Sequence, residues 1–322
     1  MLDRTQPPAI KAIGNITFPK VTTRHLSNGI PVHLITDDSE DVLRVDFMFG
    51  CGIWHQSQPL VANMTVELLR EGTKSFTSQQ IAEKLDFYGS WLQLSGSYHY
   101  SYITVYSLCK FLPDTLNVIE SMLKESIFPE TEFEIQRNKR KQIYLLEQQK
   151  VQSLASKRFS ECVFGENHPY GRTAIDRDFD SINTSLLKNF YNEYYHAGNC
   201  QIILSGKISN DILHEIENRF GGKDWWKEEK EETNFYSIVP LKEKQQYIEK
   251  ADSVQAALRL GFPSITRKHP DYYTLKILAT VLGGYFGSRL MTNIREEKGY
   301  TYGIGASLSC LREGGSFSIA TQ

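Results

Sequence analysis

One order of secondary-structure elements occurs twice in this 322-residue chain. In the first half, an apolar, β-branched run at residues 42–50 is followed by two helical patterns, by Gly89 and by two alternating β runs. In the second half, an apolar run at residues 254–262, two helical patterns and Gly299 repeat that order, again before two β runs. Because self-similarity of this kind marks duplicated units, the sequence predicts two αβ domains of one fold.

The repeat also sets the expected domain boundaries. Residues 221–240 begin with two glycines, are rich in charge and lack a stable period, so they are predicted to link an N-terminal domain at 1–220 to a C-terminal domain at 241–322. The first domain continues after its β pair through a long, mainly helical stretch to a further strand, whereas the second stops within its β pair. The predicted fold class is α+β, each domain being an antiparallel-rich sheet with helices on one face, and the second domain being truncated.

Composition excludes several classes of function. Charged residues make up 23% of the chain and the formal net charge is -2, which argues against a nucleic-acid partner or a basic membrane-binding surface. No stretch reaches the roughly 18 apolar residues of a membrane span, and the N-terminus lacks the basic and apolar segments of a secretory signal. A cytoplasmic protein without a membrane partner is therefore expected, its 5 cysteines being free thiols.

Several short strings occur in an order that resembles the pitrilysin/insulinase-like (inverzincin) metallopeptidases. They are EGT at residues 71–73, HPYGR at 168–172, LGG at 282–284 with SRL at 288–290, and REEKGYTYG at 295–303. The resemblance covers nearly the whole chain. It implies the smaller type of this family, in which two αβ halves pair around a chamber, as in the heterodimeric processing-type peptidases.

The zinc motif of that family is degenerate in this sequence. The family's first helix carries H-x-x-E-H, in which both His bind zinc and the Glu acts on the attacking water. Counted back from Gly72, the corresponding positions are Asn63, Val66 and Glu67. The third ligand, a Glu on a later helix, corresponds to Ile143. The resemblance therefore implies that these four positions are non-functional.

The same conclusion follows from the residues alone. A helical pair of zinc ligands must lie three or four residues apart to share a face, and none of the 8 histidines has another within four residues. Asn63 and Glu67 share a face, but an amide is a poor zinc ligand, and Val66 has no group that takes a proton from water. No metal or other cofactor is expected in this chain.

Two residues of the second half match functional positions of the family. Arg295 and Tyr302 have the spacing of an Arg–Tyr pair that, in the family, faces the zinc helix across the chamber. A guanidinium and a phenol are donors suited to a substrate carbonyl and to the oxyanion formed from it. The alternative is structural: Arg295 pairs with Glu296 or Glu297 on a solvated helix end, and Tyr302 packs in a sheet.

Three functions remain open. The first is a catalytically silent subunit that supplies Arg295, Tyr302 and part of a chamber wall to a homologous partner chain with an intact zinc motif, forming a heterodimer that cleaves peptides. In that case the isolated chain is not an enzyme. The second is a non-enzymatic module that binds extended peptides at a sheet edge. The third is an active zinc peptidase with a rebuilt metal site.

Overall fold

The protein is described by a computed structural model, which covers residues 12–228 and 235–321 together with residues 5, 7 and 10. The strands of the first half are β1 (Thr22–His25), β2 (Pro31–Thr36), β3 (Val42–Phe49), β4 (Trp91–Gly96), β5 (Ser101–Leu108) and β6 (Cys200–Gly206). Its helices are α1 (Val61–Leu68), α2 (Ser78–Tyr88), α3 (Leu112–Glu125), α4 (Glu130–Gln148), α5 (Val151–Phe164), α6 (Asp176–Ser181), α7 (Thr184–Tyr194) and α8 (Asn210–Phe220).

In the described part of the first half, the strands form a six-stranded mixed sheet in the order β1-β2-β6-β3-β5-β4. Only β2 and β6 pair in parallel; the other neighbours are antiparallel. The β1–β2 hairpin turns at Gly29, whose φ of 94° is one that glycine adopts without strain. The strand β4 lies at one end of the sheet, so its outer backbone groups have no strand partner there.

The two faces of this sheet differ in chemistry. Alternate residues of β3, such as Val45 and Phe47, are fully buried in a core shared with α1, α3, α7 and α8. The opposite face carries the ion pair of Arg44 with Asp46, and Asp46 also accepts a hydrogen bond from Thr104. Because apolar residues occupy one face, the helices pack on that face alone. The predicted antiparallel-rich sheet with helices on one face is confirmed.

The second half contains β7 (Leu258–Ser264), α9 (Tyr272–Gly283), a π-helical segment (Met291–Glu297), β8 (Ile304–Cys310) and β9 (Gly315–Thr321). Its described strands form a three-stranded sheet in the order β7-β9-β8. This is the order β3-β5-β4 of the first half, with each second strand of the hairpin in the centre. Gly89 and Gly299 precede the two hairpins with φ of 61° and 64°. The predicted repeat of one arrangement is therefore present.

Two predicted elements of the repeat differ in detail from the structure. The strand predicted at 254–262 is β7 at Leu258–Ser264, in which Leu258 pairs with Thr321 of β9. Pro263 fits in this strand because β7 lies at the edge of the sheet, where a missing N–H leaves no ladder bond unmade. The helix predicted at 288–299 is the π-helical segment, whose turns are wider than those of an α-helix.

The two halves meet through an aromatic cluster. Trp54, Phe164 and Tyr170 of the first half are buried together, and Ile238 and Leu311 pack against them. The Tyr170 hydroxyl accepts a hydrogen bond of 3.2 Å from the backbone N–H of Glu313. Trp225, within the predicted linker, is buried in the core of the first half. The division of the chain at 221–240 stays a prediction, and residues 229–234 lie outside the described residues.

Candidate functional site

The helix α1 holds the three positions that correspond to the zinc motif. It is short because Leu60 before it has a left-handed φ of 79° and a 3-10 turn follows it at Leu69–Glu71. Val66 is fully buried in the core, where it faces apolar neighbours. Asn63 lies against Gly96 of β4, and its side-chain oxygen is buried without a hydrogen-bond partner among the described residues. A Cβ at position 96 would lie 2.3 Å from this oxygen, so α1 and β4 approach closely at this glycine and a larger residue would displace the Asn63 amide.

Glu67 forms an ion pair with Arg140 of α4. The Arg140 Nε donates to Glu67 Oε2 at 2.8 Å, and Nη2 donates to Oε1, so the contact is bidentate. The two side chains are 24% and 39% exposed, which places the pair at the border of core and solvent. A planar guanidinium matches both carboxylate oxygens at once. The carboxylate that occupies the second His position is therefore already bound by a cation of the same chain.

Ile143 lies on the same face of α4, one turn beyond Arg140. Residues 136, 139, 140, 143 and 144 share this face by their spacing of three and four, and all of them line a cavity of about 560 Å³ with Glu67. The structure thus brings Glu67 and Ile143 to one cavity, whereas Asn63 and Val66 are not part of its lining. Ile143, which corresponds to the third zinc ligand of the family, contributes an exposed aliphatic side chain.

The residues at this site do not fit a zinc ion. Tetrahedral zinc takes Cys, His or carboxylate ligands, whereas the cavity offers Glu67 as its carboxylate, and Arg140 occupies both oxygens of that carboxylate. Four cationic side chains line the same cavity, namely Arg70, Lys139, Arg140 and Lys157, and they would repel a divalent cation. No group of three or more His, Cys, Asp or Glu suited to a metal ion occurs within residues 12–228 and 235–321.

Arg295 and Tyr302 lie in the second half, and neither residue is part of a described β-strand. Arg295 is on the π-helical segment, with its guanidinium carbon 4.5 Å from the ring centre of Phe286. Tyr302 stands just before β8, and its side chain is 89% exposed. Neither side chain makes a hydrogen bond or ion pair with another described residue. The structural alternatives of an ion pair to Glu296 or Glu297 and of a Tyr302 packed in a sheet are therefore not what the structure has.

The basic residues of α4 are a feature that sequence reasoning missed. The run RNKRK at residues 137–141 is of a kind more typical of a solvated helix face than of a binding site. In the structure its members diverge: Arg137 pairs with Glu134 and Lys141 with Asp180, whereas Lys139 and Arg140 face the cavity. The signal available in the sequence was the spacing of Gln136, Lys139, Arg140 and Ile143 on one helical stripe, but nothing local indicated that this stripe faces α1.

The aromatic and histidine residues around Trp54 form a structural joint. His99 Nε2 lies 2.6 Å from the hydroxyl of Tyr170, and His168 stacks against Phe164. Burial lowers the pKa of His168 below its ordinary value, because the apolar surroundings disfavour the charged ring. The string HPYGR at 168–172 therefore helps to join the two halves through the hydrogen bond of Tyr170 with Glu313, and His99 is buried beside it.

Comparison with known proteins agrees with this fold. Residues 181–322 match the family model described as the peptidase M16 inactive domain. The chain is 24% identical over 301 residues to the uncharacterized zinc protease YmxG of Bacillus subtilis, covering 91% of this chain and 71% of that protein. It is 20% identical over 318 residues to the probable mitochondrial-processing peptidase subunit beta of Schizosaccharomyces pombe, covering 91% and 67%.

Solved structures share the fold. A peptidase M16 inactive domain from Pseudomonas fluorescens superimposes with a TM-score of 0.80 at 23% identity, covering 94% of this chain and 74% of that one. Pitrilysin superimposes with a TM-score of 0.69 at 16% identity, covering 94% of this chain and 34% of that one. The chain thus has the fold of the M16 metallopeptidases. Residues 181–322 match the peptidase M16 inactive domain, and these similarities support the resemblance of the chain to the pitrilysin/insulinase-like family.

Among the helices that the structure describes, none combines the length and the apolar character of a membrane span.

Proposed function

We propose that this chain is the catalytically silent subunit of a zinc-dependent peptidase. A homologous partner chain with an intact zinc motif would hold the metal, and this chain would contribute Arg295, Tyr302 and part of the chamber wall. The peptide substrate would then lie between the two chains. A cytoplasmic location is part of the same proposal.

The main support for the proposal is the contrast between the zinc-motif positions of the first half and the Arg295–Tyr302 pair of the second half. At the zinc-motif positions, Glu67 is engaged by Arg140 and Val66 is buried, so these side chains are committed within the chain. In the second half, Arg295 and Tyr302 have no hydrogen-bond partner among the described residues, and Tyr302 is almost fully exposed. Donors left free in this way are available to a substrate oxygen supplied from outside the chain.

The names of the relatives support the same assignment. The family model that matches residues 181–322 is described as inactive, and one relative is named as a subunit of a processing peptidase. A chain that lacks the donor set for zinc fits the non-catalytic role in such an assembly. The alternative of a rebuilt metal site is disfavoured by the four cationic side chains around Glu67.

A specific observation favours a second candidate function, that of a non-enzymatic peptide-binding module. The strand β4 is at the sheet edge and lies beside α1, so its outer backbone groups are free to pair with an extended peptide.

Reconstitution distinguishes the two candidates. The chain would be purified alone, the M16 homologue with an intact H-x-x-E-H from the same cell alone, and then both together, and hydrolysis of unstructured peptides would be measured for each sample. The proposal expects activity from the mixture well above that of either chain, together with a complex on size-exclusion chromatography. A homologue that is fully active alone and forms no complex with this chain would favour the peptide-binding module.

A further inference from the structure

The cavity between α1 and α4 has an excess of positive charge that the proposed function does not use. Its charged lining comprises Arg70, Lys139, Arg140 and Lys157 against the single carboxylate of Glu67. The side chains come from different elements, since Arg70 follows α1, Lys139 and Arg140 are on α4, and Lys157 is on α5. Cations that converge from three elements into a concave space concentrate positive potential there.

Two of these cations have no anionic partner of their own. Lys139 and Lys157 form no ion pair with any described residue. The Lys157 ammonium lies 4.5 Å from the ring centre of Tyr144. Its pKa is lowered, mainly because partial burial disfavours the charged form, with Glu147 and Glu161 acting in the opposite direction. An anion placed in the cavity would stabilise this ammonium.

The ion pair of Arg140 with Glu67 indicates which kind of anion fits. The cavity already holds one carboxylate from its own chain, bound through both oxygens. Apolar side chains complete the lining, namely Leu60, Leu94, Ile143 and Phe179. A bare phosphate has no surface for an aliphatic wall, whereas an acidic residue of a peptide brings both a carboxylate and apolar neighbours. The volume of about 560 Å³ is that of a small-ligand pocket.

We infer that this cavity binds the carboxylate of an acidic peptide segment, with Lys139, Lys157 and Arg140 as its cationic ligands and the apolar wall holding the neighbouring aliphatic side chain. The position that holds zinc in active relatives is thereby a carboxylate site in this chain. The inference does not depend on a partner chain, because the lining comes from the first half alone.

Binding to the purified chain tests the inference directly. The probe is a fluorescein-labelled, C-terminally amidated hexapeptide of alternating leucine and glutamate, and its control is the same peptide with glutamine in place of glutamate. Fluorescence anisotropy at low salt is expected to give at least tenfold tighter binding of the glutamate peptide, with affinity falling as salt rises. Equal binding of the two peptides would overturn the inference. So would displacement of the glutamate peptide by inorganic phosphate at equal concentration, which would identify a phosphate site.

Matched charge variants locate the site. Lys139→Gln with Lys157→Gln removes two cavity cations and is expected to weaken binding about tenfold, the usual effect of losing hydrogen bonds to a charged group. Lys141→Gln with Lys150→Gln removes two charges that pair outside the cavity, with Asp180 and Glu147, and is expected to change the affinity less than about twofold. Equal weakening in both double variants would mean general electrostatic attraction and would overturn the inference.

A third variant has an effect of the opposite sign. Glu67→Gln removes the internal carboxylate that competes for Arg140, so it is expected to strengthen peptide binding several-fold. Circular dichroism and the unfolding midpoint verify that each variant is folded. Weaker peptide binding by a folded Glu67→Gln variant would contradict the inference. Because hydrolysis is not measured, the result is independent of the two-chain peptidase.

Discussion

The guanidinium of Arg140 binds the carboxylate of Glu67 through both oxygens, and these residues lie 73 positions apart in the chain. Glu67 occupies the helix position at which an active member of the family has its second zinc-binding imidazole. The ion pair engages the carboxylate of Glu67, and Val66 is buried, so neither side chain is free to bind a metal ion in the described structure.

The first prediction concerns metal content. The purified chain is expected to hold zinc well below one equivalent, because Asn63, Val66, Glu67 and Ile143 provide no ligand set. Metal analysis after dialysis against zinc measures this. The variant with Asn63→His, Glu67→His and Ile143→Glu restores the three ligand positions and is expected to retain more zinc than the natural chain. One tightly held zinc in the natural chain would contradict the prediction.

The second prediction concerns the energy of the Glu67–Arg140 pair. The side chains are 39% and 24% exposed, so solvent screens their attraction. A double-mutant cycle with Glu67→Ala and Arg140→Ala is expected to give a coupling of about 1 kcal/mol in the free energy of unfolding, measured in urea. A coupling near zero would mean that the bidentate contact does not hold α4 against α1.

Sequence reasoning reached the fold because its signals are local. Each helix that ends before a hairpin is followed by a glycine with positive φ, Gly89 or Gly299, and each sheet has a strand with alternating apolar residues. The assignment of Ile143 to the later-helix position stays a prediction, and the structure shows that Ile143 and Glu67 line one cavity.

The features that could not be predicted from the sequence depend on contacts between distant parts of the chain. The partner of Glu67 is not readable from the sequence, since no periodic pattern connects position 67 with position 140. The direction of Lys139 likewise depends on how α4 packs against α1. Tertiary packing decided these features, and local propensity did not.

The third prediction concerns pH. Burial lowers the pKa values of His168 and His196 below their ordinary value of 6.5, so the unfolded chain binds protons more readily at these sites than the folded chain. The resulting contribution to stability is present above pH 6.5 and is lost as the pH falls from there through the folded-state pKa values. Urea unfolding at pH 7.5 and pH 5.5 is expected to give a lower midpoint at the acidic pH.

A variant of one histidine separates this effect from general acid sensitivity. His168→Phe keeps a ring in contact with Phe164 and Trp54 but removes the titrating group. The difference between the two midpoints is therefore expected to shrink in this variant. An unchanged difference would assign the acid sensitivity to other groups.

The last prediction concerns the donors of the second half. If Arg295 and Tyr302 act on the oxyanion formed at a partner's zinc, Arg295→Ala and Tyr302→Phe are each expected to lower kcat of the two-chain enzyme by roughly 10² to 10³, the usual cost of one lost oxyanion donor. Assembly is expected to be unchanged, because neither side chain forms a hydrogen bond or ion pair with the described residues and Tyr302 is 89% exposed. Steady-state kinetics of the reconstituted pair measures kcat, and size-exclusion chromatography measures assembly.

Tyr300→Phe provides a matched control, since Tyr300 is a neighbouring phenol that is also exposed. A rise in KM with kcat unchanged would show that the two residues bind substrate and transition state equally. Full activity of both variants would remove the chemical basis of the two-chain proposal and would leave peptide binding at β4 as the better account of this chain.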